Sequence, residues 1–392
     1  MTPATLLWLI TGCLMLQPLS TDVYLASLPH LTAYFSATPA AVQQTLSMFV
    51  IGFGTAQLIS GPLSDRYGRR PILLGGLAIY LSSSVACAFA PSLYFLVVAR
   101  LVQAAGCCTA VVVTRAIIRD SYAPADGARM FAKASSLMSL VPILGPVLGG
   151  YLQVAYGWRS TFAVHIVFCS LLIWAAGYWL TETNRHKNPD ATRIGGLFRS
   201  YAQIASSPAF WAYTVPGALS YASIFVFISG ASFVLIRVLA VPTEYYGYGH
   251  AFSIFGYLGG TIVCRRLLTR IGLARTLTVG TTLSLTGGLL FLGLVLSGAL
   301  HWSVVFGSMF LTMGAHGINN PCAQTGAVAP FQQQAGAAAG LMGFVTMVAA
   351  LLAGTWVGAS FDGTLLPLAL TSAAVAVLLY ASATLLSKYR TG

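Results

Sequence analysis

Charge is what this 392-residue chain has least of. Asp, Glu, Lys and Arg make up 7% of it, with eight acidic residues and three lysines. Lys133, Lys187 and Lys388 follow Ala, His and Ser, so there is no phosphate-binding loop ending in Gly-Lys-Ser/Thr. No segment is polar and long enough to fold as a nucleotide-binding domain, so active transport by this chain would have to draw on an ion gradient or exchange. The seven cysteines lie in apolar stretches without a C-x-x-C, which reads as small buried hydrophobes and neither a disulfide frame nor a metal site. No metal cluster and no catalytic triad stands out, and the chain is not read as an enzyme.

What is present is apolar. Hydrophobic residues reach 57%, mean hydropathy is +0.80, and runs of about 20 residues recur, each long enough to cross roughly 30 Å of hydrocarbon. They fall near residues 5–28, 41–62, 71–90, 93–118, 130–155, 159–180, 209–236, 245–268, 276–297, 302–322, 335–358 and 364–387. Backbone polar groups in lipid must be satisfied within a helix or a closed barrel. These runs are too long and too continuously apolar for barrel strands of roughly ten residues. Forty glycines suit close helix packing. The expected fold class is an all-α polytopic membrane protein with twelve transmembrane helices. The apolar stretch LLWLITGCLML lacks a preceding Lys or Arg and continues to Leu28, so it reads as an uncleaved first span.

With the N-terminus inside, sixteen of the twenty Lys and Arg residues fall in inner loops or the C-terminal tail, Arg185 and Lys187 among them. Only Arg159 and Arg237 fall in outer loops, while Arg100 and Arg115 lie within a span. This positive-inside pattern predicts both termini in the cytoplasm of a bacterial inner membrane. It also accounts for the +12 net charge through anionic lipid, with no nucleic acid partner.

Residues 181–207 form the longest polar stretch and divide the chain into halves, 1–180 and 208–392, of six spans each. An internal echo supports duplication. RYGRRPILLGG from Arg66 and RIGLARTLTVG from Arg270 align at an offset of 204, matching the Arg, the Gly two later, Leu73 with Leu277 and Gly76 with Gly280. Parallel halves with a site at their interface are a recurring transporter design.

Four motifs point further. GPLSDRYGRRP from Gly61 resembles the loop 2-3 signature of the major facilitator superfamily, and RLVQAAG from Arg100 resembles its fourth-span motif. LVPILGPVLGG from Leu140, with Gly145, Pro146, Gly149 and Gly150, resembles the fifth-span motif of drug:H+ antiporters. With TDVYLASLP near the end of the first span, the set resembles the Bcr/CflA branch, which includes bicyclomycin and chloramphenicol exporters. The resemblance covers the first half closely and the second mainly in span pattern. It implies two pseudo-symmetric six-helix halves, alternating access, a drug-like small-molecule substrate, a proton gradient in place of any cofactor, and a monomer.

Asp22 is the only acid inside a span. An ionisable group there costs about 2.5–3.5 kcal/mol on insertion scales, which marks it as functional by default. Burial favours the neutral form of an acid and a nearby cation the charged form, and a switchable carboxylate needs both. Arg100 lies at a similar depth, roughly 10 Å below the outer surface by helix rise, and the resemblance makes the first and fourth spans neighbours. The expectation is an Asp22–Arg100 contact that couples protons to conformation; a static packing pair is the alternative. Gln17 and Gln103 lie about one turn away and extend the polar face.

In the Gly61–Arg70 motif, Gly61 and Gly68 are expected to form a tight turn, with Pro71 starting the next helix. Asp65 can accept from a helix N-terminus across the bundle. By resemblance, Arg69 should meet Asp120 and Glu182, completing with Arg66 and Arg70 a cytoplasmic gate that latches the inside-closed state. Candidate substrate-lining residues are Tyr24, Met48, Phe53, Gln103, Met138, Tyr221, Phe225, Tyr257, Asn319 and Asn320, since aromatics, methionines and amides suit bulky, variable ligands. His165 and His316 read as hydrogen-bonded packing residues. The leading function is proton-coupled export of drug-like compounds. The alternatives are carriage of a specific metabolite, such as a purine nucleoside, sugar or amino-acid derivative, and a non-transporting membrane scaffold or sensor.

Overall fold

The computed structural model describes residues 3–184, 187 and 189–390, so Arg185 lies outside the described residues. Among these the chain is all-α, with twelve membrane-spanning helices and no strand. The first half comprises α1 (Pro3–Asp22, continued by Leu25–Ser27 and Leu28–Tyr34), α2 (Pro39–Tyr67), α3 (Arg69–Ala88), α4 (Leu93–Ser121), α5 (Pro124–Met138 and Leu140–Tyr156) and α6 (Arg159–Trp179). The second comprises α7 (Pro208–Phe233), α8 and α9 within Thr243–Leu296, α10 (Trp302–Val328), α11 (Ala335–Ser360) and α12 (Leu366–Leu385). A surface helix, Ile194–Ala205, lies in the segment between them.

Several helices outrun their apolar stretches, because a hydrogen-bonded ladder continues into water until a residue ends it. α2 runs on to Tyr67, so Gly61 is helical and takes no part in the turn that the motif suggests. The turn belongs to Gly68 alone, at φ 109°, in a region that favours glycine. α8 likewise carries Arg265, Arg266 and Arg270 in helical conformation before breaking at Gly272, at φ 77°. Gly68 and Gly272 are the glycines of the internal echo, so the two halves repeat the same backbone irregularity at the same place. Leu73 and Leu277 are both fully buried behind it.

The repeat is not electrical. At this end of the bundle the first half holds Asp65, Asp120, Asp126 and Glu182 among its arginines. The second half holds only cations there, Arg265, Arg266, Arg270, Arg275, Lys388 and Arg390, and its acids, Glu244 and Asp362, sit at the opposite end.

The halves meet along two seams, α2 against α11 and α5 against α8. Away from the basic end both seams are shut. Gln43 of α2 donates to the Ser229 carbonyl of α7. Arg237 donates to the Pro29 carbonyl at 2.6 Å and to Thr32, and His30 pairs with Thr243 at 3.1 Å. On the second seam Gly247 of α8 lies on the Pro146–Val147 backbone of α5, and a Cβ on Gly150 would stand 2.8 Å from the Thr243 carbonyl oxygen. Small residues here let two helices touch backbone to backbone.

Candidate functional site

Between the halves lies a cavity of about 610 Å³, lined by Gln17 of α1, Phe53 and Gln57 of α2, Arg115 of α4, Tyr221 of α7 and, on α10, His316 and Asn320, with Met342 and Met347 of α11 closing one wall. A second cavity of about 550 Å³ shares Gln57, Arg115 and Ala339 with it and runs past Asp65, Arg69 and Arg119 to the first turn of α11 at Gly336. The interior is therefore accessible from the basic end and sealed at the other. A further depression, of about 510 Å³, lies along leucines of α9 and carries almost no polar chemistry.

Phe53, Tyr221 and Asn320 line the central cavity as the sequence suggests, and Tyr257 stands behind them with its ring 6.0 Å from that of His316. Other expected lining residues are spent elsewhere. The Tyr24 hydroxyl donates to Thr45 at 2.8 Å and its ring faces Arg100. Gln103 accepts from Arg100 and donates to Ser84, both at 2.7 Å. Asn319 donates to Ser220 and Ser284 at 3.2 Å, and Phe225 packs on Gly354. Met48 and Met138 are half-buried and line neither cavity. His316, read from sequence as a packing residue, bonds Ser220 at 3.0 Å and also forms part of the wall.

Asp22 is buried where α1 ends, on the sealed side of the cavity. Its carboxylate accepts from the Thr21 hydroxyl at 2.9 Å, and its Cβ lies over Gly145 of α5. Tyr221 of α7 and Tyr246 of α8 lie within electrostatic reach across the midline. A Cβ on Gly149 would overlap the Val23 carbonyl, so the α5 glycines hold the end of α1 by its backbone.

The expected Asp22–Arg100 contact is not formed in this conformation. Arg100, fully buried, donates to the Ser20 carbonyl at 3.1 Å and to Gln103, and stacks on Phe49 at 4.3 Å and Tyr24 at 4.8 Å. The break after Asp22 frees carbonyls at the C-terminus of α1, and a cation there is favoured by the helix dipole. Arg100 reaches Ser20, two residues before Asp22, and residues two apart on a helix point about 200° apart, so the carboxylate faces away from the guanidinium.

At the basic end, Arg69 binds Asp65 at 2.6 Å and Asp120 at 2.8 Å through its side chain. Glu182 meets Arg69 differently. It accepts the backbone N–H groups of Arg69 and Arg70 at 2.8 and 3.2 Å, capping α3. Burial alone would raise the Glu182 carboxyl, but N–H donors from Asn184, Arg69 and Arg70 and the charge of Lys187 outweigh it and hold the group below its ordinary value. Asp65 takes Arg69 and, at 3.9 Å, Arg119, so the acid on a helix N-terminus in this conformation is Glu182 and not Asp65. Arg70 donates to the Gly177 carbonyl and Arg66 to Thr192.

The family description Major Facilitator Superfamily matches residues 10–354. A bicyclomycin resistance protein homolog of Haemophilus influenzae is 25% identical over 365 residues, 93% of this chain and 91% of that one. A chloramphenicol resistance protein of Pseudomonas aeruginosa is 33% identical over 220 residues, 55% of this chain and 50% of that one. Among solved structures, a D-xylose–proton symporter superposes with a TM-score of 0.72 at 15% identity, covering 96% of this chain and 97% of that one.

Proposed function

The chain belongs to the major facilitator superfamily, and from that premise we propose that it is a proton-coupled exporter of drug-like small molecules, working by alternating access. Membership makes it a transporter and sets aside the scaffold reading. The positive-inside pattern assigns the basic end to the cytoplasm of a bacterial inner membrane, so this conformation is open inward. Relatives named for bicyclomycin and chloramphenicol resistance support the export of such compounds.

The observation that carries coupling is the place of Asp22. It is the one acid buried within the spanning helices, and it lies between the cavity and the outer seal, on Gly145 of α5, the helix whose Gly150 and Pro146–Val147 backbone face α8. Opening the outer end would part α5 from α8 and bring water to Asp22; closing it seals the group again. A proton gained outside and lost inside would then drive substrate out, each pH unit supplying about 1.4 kcal/mol per proton. Arg100 acts as a positioning residue that holds the end of α1. The Asp65–Arg69–Asp120 cluster belongs to the cytoplasmic gate. Asp65 and the first turn of α11 line the same mouth, and closing that mouth would carry the carboxylate toward a helix N-terminus.

A specific polar metabolite is the second reading, favoured by the amides Gln17, Gln57, Asn320 and Gln324 in the wall. The test is flux of chloramphenicol, a nucleoside and a sugar in proteoliposomes, with and without a pH gradient. Wild type should accumulate substrate against its gradient, and D22N should exchange substrate but not accumulate it. Undiminished accumulation by D22N would refute the coupling role.

A further inference from the structure

Arg115 has no acid. Of the eight acids, Asp65 and Asp120 are held by Arg69 and Arg119, Asp126 by Arg129 and Asp190 by Arg193. Glu182 caps α3, Asp22 takes Thr21, and Glu244 and Asp362 are at the far end. Among the described residues no carboxylate lies within ion-pair distance of Arg115, which nonetheless lines both cavities and is the only formally charged residue of the central one. It sits six residues inside the end of α4, about 9 Å by helix rise, too deep to be an ordinary headgroup anchor. Its side chain is exposed to the open cavity with no carboxylate to neutralise it, and a cleft lined by one sign of charge concentrates ligands of the other, so this cation is available to what enters.

We infer that Arg115 is the anion-recognising group of the central cavity, and that its substrates include small aromatic carboxylates. The inference rests on the transport reading and narrows its substrate class. The guanidinium offers a planar fork that matches a carboxylate. Phe53, Tyr221 and His316 supply ring faces, Gln17 and Asn320 supply amides, and about 610 Å³ accommodates one or two rings.

The probes are 1-naphthoate and its uncharged isostere 1-naphthamide, titrated calorimetrically into the purified full chain. Wild type should prefer the naphthoate by about ten- to a hundredfold, the worth of a hydrogen bond to a charged group. R115Q should bind both alike, and R115K should keep part of the preference. A second measurement uses wild type alone: naphthoate, and not naphthamide, should slow modification of Arg115 by phenylglyoxal, read by peptide mass spectrometry. No naphthoate preference in wild type, an undiminished preference in R115Q, or equal modification rates with both probes overturns the inference. Flux of neutral compounds without carboxylate preference sinks this inference alone, whereas no flux of any compound sinks the transport reading.

Discussion

Replacing Gly247 by alanine tests the outer seal with a single methyl group. A Cβ there would overlap the main-chain N and Cα of Val147 and the carbonyl carbon of Pro146. All three are backbone, so no rotamer change relieves the clash, and α5 and α8 must part by on the order of 1 Å to regain ordinary contact at about 3.5–4.0 Å. Overpacking of this kind costs typically about 1–3 kcal/mol. The penalty applies only while the outer end is shut, because opening it separates the same atoms. The ratio of outer-closed to outer-open molecules should therefore fall roughly five- to 150-fold. Ser229 is buried at that seal and its carbonyl accepts from Gln43. In S229C, labelling by a membrane-impermeant maleimide applied from the outer side reports the open state, with little background since all seven native cysteines are buried. The control is G259A on the same helix, where an added Cβ meets nothing within 4 Å. Labelling that rises in G247A but not in G259A is the expected result. Equal labelling in all three backgrounds would refute the assignment of the α5–α8 contact as a conformational seal.

Two further outcomes follow from backbone and buried charge. G68A and G272A each force a Cβ into a left-handed conformation, at about 1–3 kcal/mol, but only at Gly68 does that Cβ run into the Glu182 carboxylate, while at Gly272 it meets nothing. Thermal unfolding should therefore fall further in G68A than in G272A, and E182A, which removes the atoms the Cβ meets, should narrow the gap; equal losses would exclude Glu182 as the cap of α3. R100K keeps the charge but loses the fork and the stacking on Phe49 and Tyr24, so it should lower stability by about 1–3 kcal/mol. Addition of D22N should not change that loss, since the two side chains share no contact; strong non-additivity would mean that they do meet.

The helical frame was legible because its causes are long-range in composition: apolar runs set the spans, and Lys and Arg mark one end. The site was less so, because facing is decided by 100° steps around a helix that depth and composition do not report. Asn320 reaches the cavity while Asn319, one residue earlier, is bound between Ser220 and Ser284. Tyr24 looked like a wall residue and instead carries Arg100, whose partner is a carbonyl exposed by the break in α1. Arg115 was visible as a cation within a span, yet its meaning emerges only once every acid is seen to lie beyond its reach.

The unequal charge of the two halves bears on which one moves. At the basic end the first half neutralises much of its own charge, whereas the second presents six cations and no acid. Anionic headgroups attract each exposed Lys or Arg by about 1 kcal/mol. The bilayer thus grips one half more firmly than the other, as a clamp grips one jaw of a vice. In the alternating-access reading, rocking would then be, in the membrane's frame, chiefly a swing of the first half against a moored second half, and the anionic lipid content of the leaflet would act as a mechanical load on the cycle.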